Sequence, residues 1–501
     1  MATYDNALNH SSAMVRVRVN FLNNFGVSTR SIRSLRNPTR CLMSESETKP
    51  AKFAKVLKSR EVVALAFGAM IGWSWVLMTG VWLTDAGSLG TLIAFSIGGF
   101  AIALIGLTYS ELASAMPKAG GEHIYTKRAL GDRWSFACTW ALLFAYVNVC
   151  LFEAVALPSA VEYLFPNIRL GTLWTFLGSD VDLGFVLIGA GAAALVTWIN
   201  ILGIRTAAVL QTVVTGIIVA SGLLLISGAV VFGDTENAKP FLATPATGII
   251  TVLIMVPALL VGFDVIPQSA EEIDLPPNKI GRLLVISVAC AVAWYVLIAF
   301  AVGLGLTAEQ QATSTMATAD AAKALWQQPW AGALLVLGGI GGIMTSWNAF
   351  VVGGSRVLYA LAESNHVPKI FSRLHPTYKT PYIGIAAIGL LSMIAPLFGK
   401  TILVWLINSG SFATTVAFLF VAISFLVLRR TEPDMPRPFK VSHPRLVGYG
   451  AVTLSVGLLA AFMPWSNSAL QWPEEWLTIV VWACLGGLLL VRYEMRQSTN
   501  S

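Results

Sequence analysis

The stretch VVALAFGAMIGWSWVLMTG, residues 62–80, decides the fold, because it is apolar enough to lie in lipid yet is interrupted at its centre. Glycines and a serine also fall there, at Gly68, Gly72 and Ser74. A second apolar run holds a glycine, an acid and a proline at similar depth, within VGFDVIP at 261–267. Paired broken helices of this kind meet at the midplane binding site of transporters built from inverted repeats. The alternative is that both are ordinary Gly and Pro kinks of membrane helices.

The composition places nearly the whole chain in a bilayer. Of its 501 residues, 56% are hydrophobic and 12% are charged, about half the charged share of a soluble protein. This excludes a disordered chain, a disulfide scaffold and a nucleic-acid-binding domain. The five cysteines show no C-x-x-C spacing, and the five histidines lie outside the apolar runs. We therefore expect no disulfide framework, no metal centre and no cofactor.

Twelve apolar segments have about the 20 residues that a membrane-spanning helix needs. They are residues 62–84, 90–113, 135–157, 184–203, 207–232, 248–268, 284–306, 331–359, 382–398, 402–428, 446–464 and 476–491. They predict an all-α integral membrane protein with both termini on one side. That side then holds 29 of the 33 Lys and Arg residues, which assigns both termini to the cytoplasm of a multi-pass protein of the plasma or inner membrane.

The predicted organisation is a five-plus-five inverted repeat with two further helices. The repeats cover residues 61–232 and 248–428, helices 11 and 12 lie within 444–493, and 494–501 form a cytoplasmic tail. Residues 1–60 are a polar, basic leader. It is a solvated tail, an extension upstream of a start at Met43, or a targeting presequence.

From about residue 60 to 440 the chain resembles the amino acid–polyamine–organocation permeases, which share the fold of the bacterial leucine transporter. The family's G-x-x-I-G-x-G reads GAMIGWS here, with Ser74 replacing the third glycine. Its Y-x-E-L-x(4)-P-x-x-G-G-x-x-x-Y runs from Tyr109 to Tyr125. Further matching positions are Asn200–Gly203 with Gln211, Gly262–Asp264 with Ala270–Glu272, Ser346–Ala349, Ser355–Ala360, and Thr380–Pro381.

The resemblance implies a site for a zwitterion between the two broken helices. Backbone N–H groups around Gly72, Trp73 and Ser74 face the substrate carboxylate, while carbonyls near Met70, Val261 and Gly262 accept from its ammonium. Phe263 and Trp73 cover or line this pocket, or simply pack.

Two acids of this region, Asp264 and Glu153, are charged groups within predicted spans. An intramembrane acid is costly, which makes it a functional candidate. Glu153 precedes Pro158 as an acid precedes a proline in the third span of polyamine-type permeases. It binds a second ammonium, carries a proton, or is a protonated acid bonded to a neighbouring helix. Glu111 and Arg356, near helix ends, are expected to have structural roles.

The resemblance also indicates sodium as the coupling ion, with a proton as the alternative. Sodium-coupled members bridge span 1 carbonyls to span 8 through a small residue, two intervening positions and then Thr-Ser. The corresponding residues are Gly68, Ile71, Gly342, Thr345 and Ser346. Span 5 holds no lysine, whose amine fills this space in several sodium-independent members. Alternatively, Thr345 and Ser346 only bond their own helix.

The sequence therefore predicts a secondary active transporter for a small-molecule substrate, an amino acid or, alternatively, a polyamine or other organic amine. A nutrient sensor built on a transporter body is a further alternative. A membrane enzyme is not expected, because no histidine lies in the spans to form a catalytic pair or metal cluster. The partners expected are the substrate and the bilayer, not nucleic acid; a partner subunit is not indicated either way.

Overall fold

The computed structural model describes residues 53–466 and 469–499, so most of the predicted leader and the end of the predicted tail lie outside the described residues. Within them, nine helices are long and apolar enough to cross a membrane. They run over Thr79–Ala115, Asp132–Glu162, Leu183–Ile201, Ile204–Phe232, Pro277–Gly305, Pro329–Glu363, Ile402–Thr431, Pro444–Ala461 and Glu474–Ser498. The described chain is thus almost entirely helical, as an integral membrane protein requires.

The first predicted span is broken where its sequence suggests. Helix α1 (Ser59–Met70) ends, the chain is non-helical to Trp73, and the one-turn α2 (Ser74–Leu77) follows. Helix α3 (Thr79–Ala115) continues directly from it and bends sharply at Gly87, whose φ of 78° a side chain rarely adopts. The last residues of the first predicted span and the whole second predicted span therefore form one kinked helix.

The next elements build the rest of the first half. They are α4 (Gly121–Leu130), α5 (Asp132–Leu164), the hairpin strands β1 (Thr172–Phe176) and β2 (Ser179–Asp182), α6 (Leu183–Ile201) and α7 (Ile204–Phe232). The antiparallel hairpin lies in the α5–α6 connection. Asp182 caps α6 by accepting from the backbone N–H groups of Gly184 and Phe185.

The second half repeats the interruption. Helix α8 (Pro245–Leu259) ends before a turn at Leu260–Asp264, and the short α9 (Val265–Gln268) follows. The remaining helices are α10 (Pro277–Gly305), α11 (Ala308–Thr313), α12 (Ala317–Trp326), α13 (Pro329–Glu363), α14 (Tyr382–Ile394), α15 (Ile402–Thr431), α16 (Pro444–Ala461) and α17 (Glu474–Thr499).

Helix α13 is the central element that positions the site. In an apolar 18-residue stretch of this helix, 83% of the residues are buried. The helix packs against α1, α5 and α7. Glycines make this close approach possible: a Cβ on Gly342 would lie 2.6 Å from the carbonyl oxygen of Gly72, and one on Gly339 would lie 2.5 Å from the Trp73 ring. The break in the first span is therefore pressed onto the centre of α13.

Candidate functional site

A cavity of about 90 Å³ lies at the break between α1 and α2. The same cavity is bordered by α5, the end of α8, α13 and α15. The predicted substrate residues that line it are Met70, Gly72, Trp73, Ser74, Glu153 and Val261. Among the described residues, no carbonyl accepts from the N–H groups of Gly72 and Trp73. Donors are therefore present where a substrate carboxylate is expected.

Glu153 of α5 brings a carboxyl group into this cavity. The side chain is buried, and a Cβ on Gly72 would lie only 3.0 Å from its Oε1. The Ser346 hydroxyl of α13 lies beside the same point, 3.5 Å from that Cβ position. The Oε2 of Glu153 has no hydrogen-bond partner within the described part of the chain. The acid, the span 1 break and α13 thus meet at one point.

The predicted residues of the second break are placed differently from Val261. Gly262, Phe263 and Asp264 are not among the described residues that line the cavity. Asp264 is fully buried, accepting from the Tyr146 hydroxyl at 2.6 Å and from the Gly262 N–H at 2.9 Å. Its carboxyl group therefore holds the turn of span 6 and fixes it to α5.

Phe263 is also fully buried. Its ring stacks on Phe418 of α15 at 5.4 Å between centroids and meets Tyr109 of α3 edge-on at 5.3 Å. In this conformation Phe263 packs the turn of span 6 against α3 and α15.

Tyr295 of α10 joins the two breaks, and the sequence reasoning missed it. Its hydroxyl donates to the Met70 carbonyl at 2.9 Å and lies 3.3 Å from the Leu259 carbonyl. The Ser74 hydroxyl is 3.0 Å away, so Tyr295 connects the end of α1 to the start of α2. A buried tyrosine hydroxyl needs a partner, and its position in the apolar run AVAWYVLIAF was the available signal.

A family model described as amino acid permease matches residues 57–485 of the chain. The chain belongs to this family. The branched-chain amino acid permease BcaP of Bacillus subtilis is 25% identical over 447 residues, covering 87% of this chain and 92% of that protein. The methylthioribose transporter of the same species is 24% identical over 471 residues, covering 92% and 98%. The cationic amino acid transporter 4 of Homo sapiens is 26% identical over 415 residues, covering 79% and 63%. The family and these relatives are transporters, not enzymes, and this permease is a multi-pass membrane protein.

Four of the residues predicted for a coupling ion approach one another in two pairs, Ile71 with Gly342 and Gly68 with Thr345. A Cβ on Gly342 would be 2.9 Å from the Ile71 carbonyl oxygen, and one on Gly68 would be 2.9 Å from the Thr345 Cβ. The Thr345 hydroxyl donates to the carbonyls of Gly341 and Gly342, 3.1 and 3.0 Å away. Its oxygen lone pairs are not used by these bonds.

Three amide side chains next to this region are linked to one another by hydrogen bonds. Asn200 of α6 donates to Asn348 of α13 at 2.9 Å, and Asn348 donates to Gln211 of α7 at 2.7 Å. Gln211 then donates to the Ala64 carbonyl of α1 at 3.1 Å. All three amides are buried, so the linked amides tie four helices of the permease to one geometry.

Buried ion pairs connect the chain segments at the end of the permease that carries α4. Arg356 binds Glu272 through two bonds of 2.9 and 2.8 Å, and Glu111 pairs with Arg437 at 3.1 Å. Residue Leu57 forms a parallel bridge with Ile273 beside the first pair. Glu111 and Arg356 thus stabilise the helix ends, the role that the sequence predicted for them.

Proposed function

We propose that this permease is a secondary active transporter that carries amino acids across the membrane by alternating access. The observation that carries the proposal is the unwound Gly72–Trp73 segment, which lines the cavity and whose N–H groups have no carbonyl partner among the described residues. The proposed architecture has twelve spans, formed by inverted repeats over 61–232 and 248–428 and by two further helices within 444–493. The proposed location is the plasma or inner membrane, with both termini in the cytoplasm.

Uptake by proteoliposomes tests this function directly. Purified full-length protein should accumulate a radiolabelled amino acid above empty liposomes, and unlabelled substrate should compete. A screen of the proteinogenic amino acids by thermal shift identifies the candidates first, because a ligand at 100 times its Kd stabilises the fold by about 2.7 kcal/mol. Binding without uptake would instead indicate a sensor. If the protein neither binds nor takes up an amino acid, the proposal is contradicted.

An organic amine, such as a polyamine, is the second candidate substrate class. It is favoured by the Glu153 Oε2, a buried acceptor in the cavity wall without a hydrogen-bond partner in the described part of the chain. A ligand with an additional ammonium would pair with this carboxylate. A neutral amino acid has no such group, so the carboxyl then serves another purpose.

The variant Glu153→Gln separates these substrate classes. For a dicationic ligand its affinity should fall at least tenfold, because the buried ammonium loses its charged partner. For a neutral amino acid, only the pH dependence should change. The exposed Glu309→Gln is the matched control, which should bind as the unchanged protein does. Unaltered polyamine affinity in Glu153→Gln would exclude the ammonium-binding role.

The proposed coupling ion is sodium, bound by Gly68, Ile71, Gly342, Thr345 and Ser346 and transported with the substrate. Main-chain and hydroxyl oxygens suit a hard cation, and the close approach of Ile71 to Gly342 supports the grouping. Uptake should then need a sodium gradient and should fall sharply in Thr345→Ala and Ser346→Ala. Full uptake in choline buffer under a pH gradient would contradict sodium coupling and favour a proton carried by Glu153.

A further inference from the structure

Helices α4 and α9 touch through a pair of fully buried side chains, Glu122 and Gln268. The Gln268 Nε2 donates to Oε2 of Glu122. Beside this bond the helices are in close contact, since a Cβ on Gly121 would lie 2.8 Å from the Cβ of Pro267. Helix α9 is the second part of the broken span 6. The Glu122–Gln268 bond therefore holds the C-terminal end of the segment 261–268, whose first residue lines the cavity.

The two side chains leave one oxygen each without a partner. Glu122 Oε1 and Gln268 Oε1 have no hydrogen-bond partner among the described residues, although both are buried. A carboxylate only accepts hydrogen bonds, so it cannot bond the amide oxygen of Gln268. A proton on Oε1 of Glu122 supplies the missing donor. The protonated acid can then donate from Oε1, where a carboxylate could only accept.

The charges around Glu122 also favour the protonated acid. The titratable side chains that face it are Tyr109, Tyr125, Cys138, Tyr146 and Asp264, none of which is a cation. Burial, reinforced by the charge of Asp264, raises the pKa of the Glu122 carboxyl well above its usual range, and the neighbouring Tyr109 hydroxyl and Gln268 amide offset only part of that rise. By contrast, the buried Glu272 is paired with a guanidinium. A carboxylate at Glu122 would be a buried charge without a counterion.

We propose that Glu122 is a proton-binding site whose protonated carboxyl group latches α9 to α4. When the O–H bond breaks, the electron pair stays on the carboxylate and the proton passes to water at this end of the molecule. The buried charge then faces the amide oxygen of Gln268, and α9 separates from α4. Because the pKa is raised in the closed state, the latch holds at low pH and is lost as the pH rises through that pKa. The role of this opening in transport rests on the proposed function; the latch itself does not.

The native thiol of Cys138 reports the opening, because it is fully buried and lies beside Glu122. The test uses the full chain in liposomes with the other four cysteines replaced by alanine. The rate of Cys138 alkylation by N-ethylmaleimide is followed by mass spectrometry from pH 6 to pH 9, with and without Glu122→Gln. The rate of the unchanged protein divided by that of Glu122→Gln removes the pH dependence that the two thiols share. A Glu122 carboxylate beside the thiol disfavours the thiolate, which lowers this ratio rather than raising it. The ratio should be near one at pH 6 and should rise several-fold by pH 9, since the glutamine imitates the protonated acid at every pH.

A second variant tests the partner independently. Gln268→Leu removes the amide and leaves the carboxyl group, so Cys138 should label rapidly already at pH 6. The exposed Asp274→Asn should keep the pH dependence of the unchanged protein. A flat rate ratio for Glu122→Gln, or slow labelling of Gln268→Leu at pH 6, would overturn the latch. Labelling needs no substrate, so a failure of the latch and a failure of the transport function are distinguishable.

Discussion

At the scale of single residues, Gly72 controls the space available to a ligand. Its missing side chain leaves room beside the Glu153 carboxyl and the Ser346 hydroxyl. Gly72→Leu should abolish ligand binding, because the leucine fills the cavity, while insertion into the membrane is retained. The control is Gly216→Leu, on an exposed face of α7 where a Cβ meets nothing within 4 Å. Thermal-shift titration with the identified substrate measures both; unchanged affinity in Gly72→Leu would remove the α1 break from the site.

Tyr295 gives the second prediction at this scale. Tyr295→Phe keeps the ring but leaves the Met70 carbonyl without its 2.9 Å donor. An unsatisfied buried group costs about 1–3 kcal/mol, so the thermal midpoint of the purified protein should fall measurably. The rate of uptake should fall by more than the loss of folded protein explains, because the two halves of the first span lose their connection. The exposed Tyr378→Phe should change neither quantity. Equal midpoints for Tyr295→Phe and the unchanged protein would contradict the bridging role.

At the scale of elements, the sequence predicts which spans are interrupted but not the residue at which each helix ends. Nine described helices reach spanning length. Three other predicted spans contain shorter helices, of 12, 15 and 13 residues, in α1, α8 and α14. Two of these stop at the breaks that their glycines indicate, and α14 passes into a 3₁₀ turn at Ala395–Phe398. The exact ends depend on tertiary partners, such as Tyr295 for Met70, that no local pattern contains.

The same limit applies to the candidate site. The motifs located Gly72, Trp73, Ser74 and Glu153, and the structure places all four around one cavity. Asp264 looked equivalent from its sequence position. Its contact with Tyr146, 118 residues earlier in the chain, could not be predicted from one sequence. From the sequence alone, a side chain that bonds a helix break away from the cavity is therefore hard to distinguish from one that lines the cavity.

The packing of α13 on the first break supplies a prediction for these elements. Gly342→Ala places a Cβ within 2.6 Å of the Gly72 carbonyl oxygen and 2.9 Å of the Ile71 oxygen. Backbone cannot yield cheaply at this contact, so α13 should be forced from the break and uptake should be lost. Gly457→Ala, in α16 where nothing lies within 4 Å, is the matched control. It should be neutral or stabilising by up to about 1 kcal/mol, since alanine favours a helix more than glycine does. Normal uptake by Gly342→Ala would show that the close approach is not required.

At the scale of the whole molecule, charge distribution predicts how the chain is oriented. Assigning both termini to the cytoplasm places 29 of the 33 Lys and Arg residues on that side. The β1–β2 hairpin then lies outside the cell, with Leu177 exposed at its tip. The exposed Ser442, in the connection between α15 and α16, then lies inside. In a cysteine-free background, Leu177→Cys should react in intact cells with a membrane-impermeant maleimide, and Ser442→Cys should react only after permeabilisation. The reverse pattern would invert the topology and move the Glu122 latch to the outer face.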